Sequence, residues 1–404
     1  MKSRLFVFVI FAVLTVFGSQ LVLAGGSDSF RPNEINVNLA AGTEIATINA
    51  RYGTATLEQI AGTNIYRLQL PTGTTVEQIK AQMAFDLAIN FAEPNYNYQS
   101  PEVRQGSHAF TDQGSHAFTD GQSPGNFYGQ QPVMNLHLTQ AQNYTRGLGV
   151  RVAVIDTGID FNHPLFAGRI AYPVADFVTD DGYPNDELGG SATGHGTFVS
   201  GLIALTAPQA SIMPIRAFSN DGYGTSFNVA RAIRFATDNN AQIINMSFGL
   251  LTQEYLIKDA VDYASAHNII LVSAAGNDNA DKIHFPAFRS NVLAVTSTGA
   301  GDVKAPFANF DSAVDVSAPG VSLYSAYPGN RWAWWSGTSF STPLVAGEAA
   351  LLLSLNLSVD RLKLTKTMTS FGVNPDPFNP SYKGKLGSVR IDYLAAVNAQ
   401  IYGQ

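Results

Sequence analysis

The chain has 404 residues, of which 45 % are hydrophobic and only 14 % charged, with a formal net charge of −7 and no cysteine. That length supplies core material for two or three domains. An acidic, weakly charged composition excludes a disordered chain and a binder of nucleic acid or other polyanions. The lack of cysteine excludes disulfides, thiolate metal sites and a cysteine nucleophile.

Lys2 and Arg4 precede an apolar run over residues 5–17, and V-L-A-G at 22–25 offers small residues for cleavage after Ala24. This layout predicts a signal peptide over residues 1–24. Gly18, Ser19 and Gln20 interrupt the apolar run, which argues against a retained anchor and for a secreted product, extracellular or periplasmic, with no stable membrane insertion. Residues 25–99 read as a separate small domain. Strands are predicted at 35–39, 57–60, 64–70 and 89–91, and helices at 43–52 and 76–87, the second with Val76, Ile79, Met83 and Leu87 on one face. The order β-α-β-β-α-β is that of a ferredoxin-like α+β unit. Residues 100–125 form a linker rich in Gly, Ser, Gln and Pro, in which Q-G-S-H-A-F-T-D occurs at 105–112 and again at 113–120. A short duplication in a tolerant loop accounts for His108 and His116, and no site is assigned there.

Residues 126–404 form one further domain. Apolar strands at 150–155, 211–217, 242–246, 269–274 and 292–296 alternate with helices at 227–238 and 255–267, and a last helix is predicted over 391–401. This alternation predicts an α/β fold, a parallel sheet sandwiched by helices. Ligands in such folds bind beyond the carboxyl ends of the strands, and Asp156, Ser247 and Asn277 all fall there.

S-G-T-S-F-S-T-P-L-V-A-G at 336–347 runs into the apolar block 348–355, which predicts a buried helix with Ser339 at its positive end and Pro343 in its first turn. Alone, Ser339 reads as an N-cap. Asp156 ends V-A-V-I-D-T-G-I-D, His195 lies in G-H-G-T-F-V-S-G, and Asn277 lies in S-A-A-G-N-D. Each alone suits a turn. Together they supply what an alcohol nucleophile needs. His195 takes the proton of Ser339, Asp156 holds the imidazole, and Asn277 donates to the developing oxyanion.

The blocks around Asp156, His195 and Ser339, in that chain order, resemble those of the subtilases, the subtilisin-like serine peptidases. N-M-S-F-G at 245–249, A-A-G-N at 274–277, D-V-S-A-P-G at 315–320 and G-K-L-G-S-V-R-I-D at 384–392 extend the resemblance. Residues 35–98, ending F-A-E-P-N-Y, resemble the family's inhibitory propeptide, an intramolecular chaperone. The resemblance implies a subtilisin-like fold preceded by a small α+β ferredoxin-like propeptide domain. It implies Asp156, His195 and Ser339 as the charge-relay residues and Asn277 as the oxyanion-hole side chain. Ser247, Phe248, Gly249, Ala274, Ala275 and Gly276 would line the cleft, and Ile283, His284 and Phe285 would lie near the floor of a side-chain pocket.

Two departures stand out: Phe198 where a histidine is frequent, and Ser341 where alanine is usual. The long spacing between Asp156 and His195 makes residues 176–190 an enlarged surface loop. Asp180, Asp181, Asp186 and Glu187 there read as a solvated acidic loop without an EF-hand spacing; no metal ligand is assigned, and a structural calcium ion stays open. The implied function is a secreted serine endopeptidase that requires no cofactor and acts as a monomer on proteins or peptides, with its own propeptide as intramolecular inhibitor. The alternative is a catalytically silent subtilase-fold peptide-binding protein. An esterase is excluded by the lack of a G-x-S-x-G elbow around Ser339.

Overall fold

The structure is a computed structural model that describes residues 29–100, 102, 118–119 and 124–403. The signal-peptide reading lies outside the described residues, as does the tandem repeat except for the backbone of residues 118–119.

The first domain runs β1 (Phe30–Leu39), α1 (Ile45–Tyr52), β2 (Ala55–Gln59), β3 (Ile65–Gln69), α2 (Val76–Met83) and β4 (Ile89–Gln99). Its strands lie in the order β2-β3-β1-β4, each antiparallel to its neighbour, which is the ferredoxin-like arrangement. Alternate residues of β1, namely Ile35, Val37 and Leu39, meet Ile48 of α1 and Val76, Ile79 and Met83 of α2 in a small core. Two expectations are corrected. A Thr75–Gln78 capping box starts α2, but the helix stops at Met83 and Leu87 is 96 % exposed. β4 does not end at residue 91; it continues to Gln99 because a second domain supplies it with partners.

In that second domain the strands are β5 (Arg151–Asp156), β6 (Ala175–Asp176), β7 (Ser211–Arg216), β8 (Tyr223–Thr225), β9 (Ile243–Met246), β10 (Ile270–Ala274), β11 (Leu293–Thr298), β12 (Val316–Pro319), β13 (Leu323–Tyr327), β14 (Arg331–Trp335), β15 (Gly372–Val373) and β16 (Val389–Ile391). The main helices are α3 (His195–Thr206), α4 (Ser226–Asp238), α5 (Tyr255–Ala266), α6 (Thr338–Leu355), α7 (Arg361–Ser370) and α8 (Tyr393–Tyr402). Nine strands form the central sheet in the order β15-β16-β12-β11-β10-β9-β5-β7-β6, parallel except for the β15–β16 pair. Side chains of one strand divide between two cores. Val152 and Val154 pack with α3 and α6, whereas Ala153 and Ile155 pack with α4 and α5. The last helix starts at Tyr393 and not at residue 391, because Val389–Ile391 joins the sheet and the Asp392 side chain accepts from the N–H of Ala395 as an N-cap.

The small domain rests on the amino ends of α4 and α5. Both carboxylate oxygens of Glu93 accept from α5, from the N–H of Tyr255 at 2.9 Å and of Leu256 at 2.6 Å. Asn95 Oδ1 accepts from the N–H of Phe227 and the hydroxyl of Ser226 at the start of α4, both at 3.2 Å. Side chains of one domain thus satisfy backbone donors that a helix leaves open in the other. The last residues of β4 pair antiparallel with β8, and Gln99 also bridges to Gly249. The tail therefore lies as a strand between β8 and the segment at Gly249 and points at the carboxyl end of the sheet of the larger domain.

Candidate active site

Asp156 is the last residue of β5, His195 the first of α3, Ser339 the second of α6, and Asn277 follows β10 by three residues. All four are buried. The fold brings them together from positions up to 183 residues apart in sequence number, the span from Asp156 to Ser339. Asp156 Oδ1 stands 2.7 Å from His195 Nδ1, so the carboxylate fixes the imidazole by a charge-assisted bond. Ser339 is not an N-cap: the cap position is Gly337, which has no side chain to offer.

Pro343 lies six residues into α6 rather than in its first turn, and it has no N–H to give the Ser339 carbonyl four residues earlier. The hydroxyl of Ser247 replaces that donor, reaching the Ser339 carbonyl at 2.8 Å. In return, the Ser247 carbonyl lies 3.1 Å from Ser339 Oγ. Asn277 is held by Thr338, whose N–H and hydroxyl both donate to its Oδ1 at 2.9 Å. The amide Nδ2 is left free to turn toward Ser339.

What it meets there is Glu102, just beyond the strand-like tail. Glu102 Oε2 accepts from Ser339 Oγ at 2.9 Å and lies 3.1 Å from His195 Nε2, while Asn277 Nδ2 donates to Oε1 at 3.0 Å. His195 and Ser339 share no hydrogen bond of their own; both meet the same carboxylate oxygen. Gly337 makes room for it, since a Cβ there would sit 2.1 Å from Glu102 Oε1. Burial by itself depresses the imidazole of His195. Asp156 and then Glu102 outweigh that effect and push it up to about 10. With the tail in place, His195 is an imidazolium held between two carboxylates.

The cleft residues divide. Phe248 packs edge-on against Tyr98 of the tail with centroids 5.8 Å apart, and Gly249 pairs with Gln99. Ala274 is the last residue of β10, and the Ala275 carbonyl is taken by the N–H of His284 and by Asn309 Nδ2. Gly276 donates its N–H to Thr338 Oγ1 at 3.2 Å. The tail therefore pairs with residues 249 and 223–225 rather than with 274–276. Sequence reasoning missed Thr338, Glu102 and the β8 wall. Only the polar residue before Ser339 carried a visible signal; β8 is three residues long, and Glu102 sits in a stretch without periodicity.

Ser341 bonds Ser297 Oγ and the carbonyls of Ala318 and Pro319, and Phe198 packs on Phe340 and Trp335, so both departures are absorbed by packing. The solvated acidic loop is corrected at one position, Asp186, whereas Asp180, Asp181 and Glu187 are exposed. Asp186 is buried, accepting from Thr157, Gly194 and Thr197, and burial, with Asp156 adding to it, pushes its carboxyl up to about 6. Glu187 and Asp176 both bind the buried Arg216.

Residues 147–374 match the model of the Subtilase family, and residues 19–95 match the Fervidolysin N-terminal prodomain. The chain is 38 % identical over 246 residues to thermitase of Thermoactinomyces vulgaris, covering 58 % of this chain and 85 % of that protein. It is 36 % identical over 281 residues to subtilisin DY of Bacillus licheniformis, covering 65 % of this chain and 97 % of that one. Among solved structures, fervidolysin from Fervidobacterium pennivorans, described as a keratinolytic enzyme related to subtilisin, superposes with a TM-score of 0.76 at 24 % identity. That match covers 91 % of this chain but 61 % of the fervidolysin chain, so it carries the fold alone.

Proposed function

Because this chain belongs to the subtilase family, we propose that it is a secreted serine endopeptidase made as a latent precursor. A further matched relative, from Bacillus sp. (strain AK1), is named a thermophilic serine proteinase. Ser339 Oγ attacks the scissile carbonyl and passes its proton to His195, whose imidazolium Asp156 stabilises. Asn277 Nδ2 donates to the oxyanion, an interaction worth about 3–4 kcal/mol in the transition state. His195 then protonates the leaving amine, and water hydrolyses the acyl-enzyme. No step calls for a cofactor.

The observation that carries this reading is the convergence of Ser339 Oγ, His195 Nε2 and Asn277 Nδ2 on the Glu102 carboxylate. Its oxygens stand in for the negative oxygen of a tetrahedral intermediate, and a pocket that collects a serine hydroxyl, an imidazole and an amide around one anion is suited to that charge. The same contact makes the tail an inhibitor. The precursor comprises a signal peptide (1–24), a propeptide (25–99), a linker (100–125) whose cleavage releases the tail, and the peptidase domain (126–404).

A fluorophosphonate probe tests the reading. Processed wild-type protein is expected to label on Ser339, and Ser339→Ala is expected to remain both unlabelled and unprocessed. Labelling or self-processing in Ser339→Ala overturns it. The shared bond to Glu102, in place of a direct His195–Ser339 bond, favours one second reading, a silent peptide-binding protein. Absence of label after the tail has been removed would establish that reading instead.

A further inference from the structure

Thr338 fixes the side chain of Asn277, but the backbone that carries it leaves the sheet after β10 and has to be held from elsewhere. Much of that hold comes from Asn309, which is fully buried. Asn309 Oδ1 accepts from two backbone N–H groups, of Asp278 at 2.8 Å and of Ala280 at 3.0 Å. Its Nδ2 donates to the Ala275 carbonyl and to Asp278 Oδ2, both at 3.1 Å. The Asn309 N–H donates to the Gly276 carbonyl at 2.9 Å. One amino acid thus grips the chain on both sides of Asn277.

Both acceptor sites and both donors of this amide are used. Aspartate has no donor and would set a second charge against Asp278; leucine has the shape and neither function. Only glutamine carries the same set, and its extra methylene overfills an enclosed position. The loop is matched to the amide as well: Gly276 has a φ of +104°, and a Cβ there would come within 2.5 Å of Asn309 Nδ2. Asn309 is itself tied to the central sheet, because the hydroxyl of Thr296 in β11 donates to its carbonyl. A continuous path therefore runs from β11 through Asn309 to the backbone on either side of the oxyanion donor.

We propose that Asn309 is a positioning residue for the reaction: it sets the place of Asn277 Nδ2 relative to Ser339 Oγ, and so governs stabilisation of the developing oxyanion without touching substrate. An oxyanion donor is effective only when it is held in place before charge develops, and a displacement of about 1 Å costs on the order of a hundredfold in rate. Three of the four groups that the Asn309 side chain holds are backbone. Its loss leaves Thr338 bonded to a side chain whose main chain is free to shift. The inference rests on the peptidase reading above and adds a residue to that site.

Asn309→Leu and Asn277→Ala are made singly and together, matured by affinity-tagged wild-type enzyme that is then removed, and assayed on one peptide p-nitroanilide. Active concentrations come from exhaustive fluorophosphonate titration. Asn309→Leu is expected to lower kcat by about thirtyfold with KM changed by less than about twofold. On top of Asn277→Ala, the same substitution is expected to lower kcat by less than about threefold, because the donor it positions is already gone. A residue that merely supports the fold would multiply its loss onto that background in full. Asn309→Asp keeps the two accepted N–H bonds and replaces the leucine variant should that one not fold. Its expected loss is about tenfold in kcat, again absent when residue 277 is alanine. A wild-type kcat in whichever variant titrates, or an undiminished loss on top of Asn277→Ala, overturns the proposal. Failure of wild type itself to titrate overturns instead the peptidase reading on which the proposal rests.

Discussion

Under the proposed mechanism, Ser339 cannot act while Glu102 holds it. Its hydroxyl donates to a carboxylate, and the imidazole that should take its proton is already protonated between Asp156 and the same carboxylate. The pH dependence follows from the raised His195, which Glu102 helps push up to about 10. The plugged form retains a proton that the open form, lacking Glu102, gives up at lower pH. Latency is therefore complete below the open-form pKa and is lost as pH rises through about 10. Fluorophosphonate labelling of the unprocessed chain should accelerate from neutral pH toward pH of about 10, and Glu102→Gln, which removes the charge, should label rapidly already at neutral pH. Equal, slow labelling in both proteins would exclude the plug. Thr338→Val tests the second contact at this scale. It removes one of the two bonds that orient Asn277, and is expected to lower kcat of the processed enzyme by about tenfold with KM little changed. The four groups Asp156, His195, Asn277 and Ser339 were legible because each sits in a short, distinctive block at the end of an apolar strand or the start of an apolar helix. Glu102 was not: the carboxylate gains its meaning only from partners 93, 175 and 237 residues away.

Periodicity located most elements, and it failed at their ends. Leu87 continues the helical spacing of Val76, Ile79 and Met83, but α2 has already stopped, so the side chain projects into solvent. Residues 389–391 carry an apolar pattern that suits helix or strand, and only the free edge of β12 decides for strand. Helix termini show a related limit. Glu254 precedes α5 without capping it; the cap is Glu93, from another domain, whose burial holds its carboxyl above the usual range despite two backbone donors. Such a remote cap has no signature in the helix's own sequence. Glu93→Ala removes both contacts and is expected to weaken docking of the small domain by about 1–2 kcal/mol. The measurement is inhibition of processed enzyme by residues 25–102 added as a separate polypeptide, for which the inhibition constant should rise roughly tenfold. An unchanged constant would mean that the β4–β8 pairing carries the interface alone.

The whole molecule joins two parts with different folding problems. In the small domain, hairpin-like and antiparallel pairings connect strands within a short stretch of chain. In the large domain β5 pairs with β7 on one side and β9 on the other, and β12 must wait for β16 near the end of the chain. Parallel, long-range pairing closes large loops before contacts reward them, so the barrier is high. The small domain binds beside this sheet: Asn95 holds the start of α4 and Glu93 the start of α5, the crossover helices that lead into β9 and β10. Holding both helix ends would align neighbouring strands of the central sheet before the rest has formed. Two Ser339→Ala chains test this without interference from self-cleavage, one complete and one lacking residues 25–99. After dilution from denaturant, the truncated chain is expected to regain native near-ultraviolet dichroism at least about tenfold more slowly. Adding residues 25–99 in trans should restore the rate, and the same segment carrying Glu93→Ala and Asn95→Ala should restore much less of it. Equal rates for the two chains would confine the small domain to inhibition, with the amino ends of α4 and α5 serving only as its docking points.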